Sequence, residues 1–90
     1  MVEYSVILRR FKGSSRPDVC IFRDEDREKA LAEMHRYGMR EGFTVQDHDG
    51  RFTIDTIQLV EKEPIAGAPV LSVKSWHELF DESGNRRKDA

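Results

Sequence analysis

Cysteine occurs once, at Cys20, so the chain can close no disulfide within itself, and a small domain without such staples fits a reducing compartment. Long apolar runs are missing too. Nothing in the sequence approaches the ~20 residues that a membrane-spanning helix needs. The opening stretch MVEYSVILRR carries an acid at Glu3 and a short apolar run before Arg9, which is not the pattern of a signal peptide. These features lead to the expectation of a soluble cytoplasmic protein with no membrane partner. Apolar residues make up 38% of the chain and charged residues 36%, proportions that favour one thin core under a solvated surface over a deep pocket. At 90 residues there is material for a single core only, because a chain of this size buries about 60% of the surface it exposes when unfolded.

The sequence also lacks the motifs that carry chemistry. It has no G-x-S-x-G, no phosphate-cradling glycine loop and no H-E-x-x-H. The stretch QDHDG, 46–50, comes nearest, with His48 between Asp47 and Asp49. Aligning Gly50 with the invariant glycine of a calcium-binding EF-hand loop puts Val45 at the first ligand position and Thr56 where a bidentate glutamate belongs, so both anchors fail. Zinc would need further ligands from Cys20, His35 and His77, which follow no recurring spacing. Asp-Gly is a strong hairpin signal, and the stretch reads as a turn. No metal, no cofactor and no catalytic residue are expected. His35 sits at the rim of a helix face, and Cys20 falls within a strand, where a buried thiol is inert.

What remains is pattern. Val2, Tyr4, Val6 and Leu8 alternate with Glu3, Ser5, Ile7 and Arg9, the period of a half-buried strand. KGSSRPD breaks it, and Asp18 to Phe22 forms a second strand, so 1–23 reads as a hairpin. Residues 25–37 form the clearest helix, capped by Asp24, with Ala30, Leu31, Met34 and Tyr37 on one face. Gly38 is placed to end it, folding Met39 back onto Met34. Phe43 and Val45, then Phe52 and Ile54, alternate on either side of DHDG and form a second hairpin. The fold expected is α+β: a four-stranded antiparallel sheet in ββαββ order, one main helix on one face and a short C-terminal helix.

Residues 1–63 make the core unit, and 64–90 supply a linker, PIAGAP, a short helix and a frayed polar tail, docked on the same domain. Val70, Leu71 and Val73 lead into Ser75-Trp-His-Glu78, a capping-box pattern. The helix from Trp76 to about Glu82 is too short to stand alone in water, so its Trp76, Leu79 and Phe80 face must dock. It can cover an edge or the second face of the sheet, to which Ile7, Phe11, Ile57 and Leu59 are assigned, or it can enter a groove on a partner protein.

Charge is uneven although the net value is only −2. Residues 1–23 hold five bases against two acids, and 43–63 hold two bases against five acids. The function expected is therefore a small non-catalytic protein-binding module, an accessory or inhibitor protein of the kind that phages and mobile elements carry. Its surface would be an exposed sheet edge, the hairpin tip Asp47, His48 and Asp49, or the face of Trp76, Leu79 and Phe80. The alternative is a nucleic-acid-binding module in which Arg9, Arg10, Lys12 and Arg16 track a phosphate backbone and Phe11 stacks on a base, although the acidic balance elsewhere counts against it. A homodimer through an open edge strand is compatible with the same layout.

Overall fold

The computed structural model describes residues 1–10, 18–47 and 50–88, apart from the side chains of Val45 and Asp47. It has the expected α+β architecture, an antiparallel sheet with one main helix and a short C-terminal helix, and adds a fifth strand. The elements are β1 (Glu3–Arg10), β2 (Val19–Asp24), α1 (Arg27–Tyr37), β3 (Thr44–Asp47), β4 (Gly50–Lys62), β5 (Val70–Ser75) and α2 (Trp76–Leu79). The sheet order is β2-β1-β4-β3, with β5 also paired to β4. β1 borders β4 along one side from Ile54 to Lys62, so β5, which pairs with Gln58–Lys62, must lie along the other. β3 shares that second side, because Ile54 exchanges backbone hydrogen bonds with Gly42 and Phe43 while facing Arg10 of β1. β4 is thus the central strand, and among the described elements β2, β3 and β5 each pair on one side only. The molecule measures 36 × 35 × 19 Å, and its thinnest dimension is that of one sheet and one layer of helix.

β1 follows its sequence pattern: Val6 and Leu8 are buried on the covered face, with Tyr4 packed beside them. β4 departs from a simple alternation. Phe52 and Ile54 are buried at even positions, and Ile57 and Leu59 at odd ones. The pairing with β1 explains this, since Arg9 faces Thr56 and Arg10 faces Ile54, leaving Asp55 as an extra residue in a β-bulge. A bulge reverses the parity of every side chain beyond it. Ile57 and Leu59 therefore belong to the same core as Phe52 and Ile54, not to the second face as strict alternation implies.

α1 begins two residues later than expected. Asp26, not Asp24, is its N-cap and accepts a hydrogen bond from Glu28 N at 2.9 Å. Asp24 Oδ1 accepts from Asp26 N at 2.7 Å and so turns the chain into the cap. The helix buries Ala30, Leu31 and Met34 against β1, β2 and β4, and Tyr37 is half-buried beside them. Gly38 ends it with φ 86° and ψ 166°, donating its N–H to Met34 O. That extended ψ carries the chain away, so Met39 is exposed and does not fold back on Met34.

The C-terminal segment joins the same core. Trp76, Leu79 and Phe80 are 6%, 0% and 1% exposed, within one cluster with Val6, Leu31, Met34 and Ile57. α2 therefore lies on the face that α1 covers, and no described helix lies on the second face. Residues 63–69 form the loop of the β4–β5 hairpin, closed by the Ala68 N–H to Ile65 O bond, so strand pairing runs across the segment read as a linker. The tail is anchored up to Arg87 rather than frayed. Asp81 Oδ1 accepts from Ser83 N and Asn85 N, Arg87 N donates to Leu79 O, and Arg86 pairs with Glu28 of α1.

Candidate functional site

The fold takes several residues out of contention as a surface. Trp76, Leu79 and Phe80 are core, because aromatic stacking of Trp76 on Phe80 at 4.2 Å seats them under His35, and their burial leaves no apolar face for a groove. Asp47 closes the β3–β4 pairing opposite Gly50, but its side chain, His48 and Asp49 lie outside the described residues. In the basic group, Arg10 is only 7% exposed. It lies on the covered face with its guanidinium 4.0 Å from the centre of the Phe52 ring, and its backbone N–H donates to Asp18 Oδ1, so it offers nothing to a phosphate backbone. Arg9 is exposed and pairs loosely with Asp55 at 3.9 Å. Phe11, Lys12 and Arg16 lie outside the described residues.

The groups that could do chemistry are dispersed. Cys20 does stand in a strand, but on the open face and exposed. It faces Ile7 across β1, with its thiol near Phe22 O and the Arg23 guanidinium. His35 and His77 belong to the helix side. His35 Nε2 donates to Gly84 O at 3.0 Å and its ring caps Trp76 and Phe80, as a rim residue does. His77 Nε2 donates to Glu41 at 2.7 Å, tying α2 to the loop before β3. Among the described residues no three His, Cys, Asp or Glu side chains converge as metal ligands. Two carboxylates are held below their ordinary range by local bonds: Glu33 by the Arg36 guanidinium at 2.7 Å, and Glu78 by the Ser75 backbone N–H at 2.8 Å. Both serve helix geometry, one as an i, i+3 pair and the other as the cap of α2.

What the fold does assemble is an apolar patch at β5 and the loop before it. Ile65, Val70, Leu71 and Val73 are 60%, 53%, 54% and 45% exposed. They make up four of the seven large apolar side chains that stand exposed among the described residues, which marks a cluster and not scatter. Val73 faces Val60 of β4, and Val60 faces Ser5 of β1, so all three share the open face. Ile65 lies over the same face, lining with Pro64, Ser5, Arg23 and Lys62 a shallow hollow of about 240 Å³. Leu71 is the extra residue of a second bulge, between the Glu61–Ser72 and Lys62–Val70 pairs. The signal for this surface is present in the sequence, since Leu71-Ser-Val73-Lys alternates after a Pro- and Gly-containing connection. The run leads straight into a helix cap, so by pattern alone it also reads as the approach to α2.

The structure also bears on the remaining classes. The rings of Tyr4, Phe22 and Phe52 are on the covered face, so the open face presents no aromatic platform for bases among the described residues. No described helix is long and apolar enough to cross a membrane. Comparisons with protein-family models, with curated protein sequences and with solved structures return no match for this chain.

Proposed function

We propose that the protein is a small non-catalytic binding module that docks another protein on the open face of its sheet, through Ile65, Val70, Leu71 and Val73. The observation that carries this reading is the concentration of exposed apolar side chains along one edge strand and its loop, in a chain whose charged residues could have covered them. The thin molecule needs all its helical residues for one face, and the other face is left for a partner. Separation of Cys20 from His35 and His77 by the thickness of the sheet supports a binding role over nucleophilic catalysis, which needs nucleophile and base in hydrogen-bond reach. Burial of Arg10 weakens the nucleic-acid alternative. An accessory or inhibitor protein is the biological role that fits such a module.

The test is affinity capture from the source cells with and without nuclease, using the native chain and Ile65→Lys. Ile65 sits in an exposed loop, so the variant keeps the thermal melt. A captured protein that withstands nuclease and whose affinity falls about tenfold or more with Ile65→Lys supports the reading. Capture that vanishes with nuclease, or that ignores Ile65→Lys, overturns it.

A further inference from the structure

We propose that the outer edge of β5 pairs with β5 of a second copy of this chain, antiparallel and centred on Val73, so that two sheets become one. The inference rests on reading 65–73 as an interaction surface and commits its edge to one occupant. Among the described elements β5 pairs with β4 alone and otherwise touches only α2, so its outer backbone groups face no neighbouring strand. An edge of this kind is a template for another strand, and proteins that keep such edges single blunt them with charge. Of the other edge strands, β3 is only four residues long, and β2 ends in Arg23 and Asp24 and carries a bulge at its middle, where the register shifts past Ile21. β5 has Lys74 as its sole charge, and its bulge lies at Leu71, which leaves Ser72–Ser75 regular for pairing.

Register follows from side-chain complementarity. A dyad through Val73 sets Val73 against Val73 of the second copy, Ser72 against Lys74, and Leu71 against Ser75. Because Val60 faces Val73 within one chain, the open face then carries a row of four valines across the junction. On the covered side Glu61 faces Ser72, so Lys74 of the second copy falls in the row of Glu61 with only a serine between them. Two strand spacings separate Glu61 from that lysine, about 10 Å between Cα atoms, a gap that two long side chains can close over Ser72. Symmetry makes this opposite-charge contact twice. Centring the dyad on Ser72 instead sets Val73 against the bulged Leu71, so the irregularity falls inside the new ladder beside its centre. The Val73 register also brings the two apolar patches together as one surface.

The test combines light scattering with two kinds of variant, each checked by its melt. The native chain should have the mass of a dimer, and Val73→Lys, at a position already 45% exposed, should be a folded monomer. Lys74→Glu should weaken the dimer roughly tenfold, and adding Glu61→Lys to it should restore the affinity. In a Cys20→Ser background, Val73→Cys should form a covalent dimer on mild oxidation. Leu71→Cys should not, since its counterpart lies about 13 Å away along the strand, beyond disulfide reach. A monomer at every concentration overturns the inference, and so does a dimer that Leu71→Cys links and Val73→Cys does not. Ile65→Lys separates the two readings: a monomeric chain that still loses its captured protein with Ile65→Lys retains the docking surface and refutes self-pairing.

Discussion

On the covered face of β4, Ile57 and Leu59 are almost wholly buried; one residue further, Val60 is half-buried, and Val73 opposite it on β5 is exposed. The two faces use similar aliphatic side chains. They differ because α1 and α2, the helices among the described residues, both arrive on one side. Burial is therefore decided by where the helices land and by the bulges that aim each residue, more than by the apolar content of each strand.

The largest effect should come from the device that sorts the two faces. Deleting Gln58 makes Ile57 and Leu59 neighbours on opposite faces and reverses the parity of every residue beyond, whereas deleting Asp55 only removes the bulge and leaves Phe52, Ile54, Ile57 and Leu59 alternating on one side. Burying each such side chain is worth about 1.5–3 kcal/mol, and total stability is only about 5–15 kcal/mol. The chain lacking Gln58 should show no cooperative melt by circular dichroism while the chain lacking Asp55 should keep one, and a native melt without Gln58 would show that strand parity does not sort the core.

Next come paired truncations across the sheet. Leu59→Ala should cost about 2–5 kcal/mol in denaturant unfolding, and Leu71→Ala less than about 0.5 kcal/mol in the isolated monomer, as buried and exposed sites differ. Equal losses would erase the contrast between the faces. Smaller still is the cap of the main helix: Asp26→Ala should lower stability by about 1 kcal/mol, and Asp24→Ala should do less, because Asp26 is the cap that bonds Glu28 N. The reverse order would return the helix start to Asp24.

Smallest is a pH effect at α2. The Ser75 N–H bond lowers the Glu78 pKa in the folded chain, so its contribution is fully present above the ordinary carboxylate pKa and is lost as pH falls through the lower folded value. Glu78→Gln should be less stable than the native chain at about pH 6 and should close that gap as pH falls through the lowered folded value. A constant difference over this range would mean that the carboxylate charge does not matter.

Much of the fold was legible because it rests on local pattern: the alternation of β1, the face of Ala30, Leu31, Met34 and Tyr37, and the pairing of β3 with β4. Two features were not. The spacing Phe52-x-Ile54-x-x-Ile57-x-Leu59 holds a doubled gap that signals a bulge, and without it Ile57 and Leu59 fall on the wrong face. The role of β5 depended on a non-local fact, that β1 takes one side of β4 and leaves the other vacant. Arg10 departs from the expected basic surface for a related reason, since strand parity puts its long side chain over Phe52 in the core and not in solvent. The apolar patch at β5 leaves a trace in the alternation of Leu71-Ser-Val73-Lys, but which of its side chains stay exposed follows only from those placements, because exposed valine and leucine look like core in a sequence.

Trp76 is the single tryptophan of the chain, and its emission reports on the arrangement that everything else requires. With the C-terminal segment packed under His35 beside Phe80, fluorescence should be blue-shifted and shielded from acrylamide in the free protein at low concentration, and both properties should vanish on unfolding. Red-shifted emission that acrylamide quenches freely in the folded chain would mean that α2 is not core, and would contradict the division into one covered and one open face.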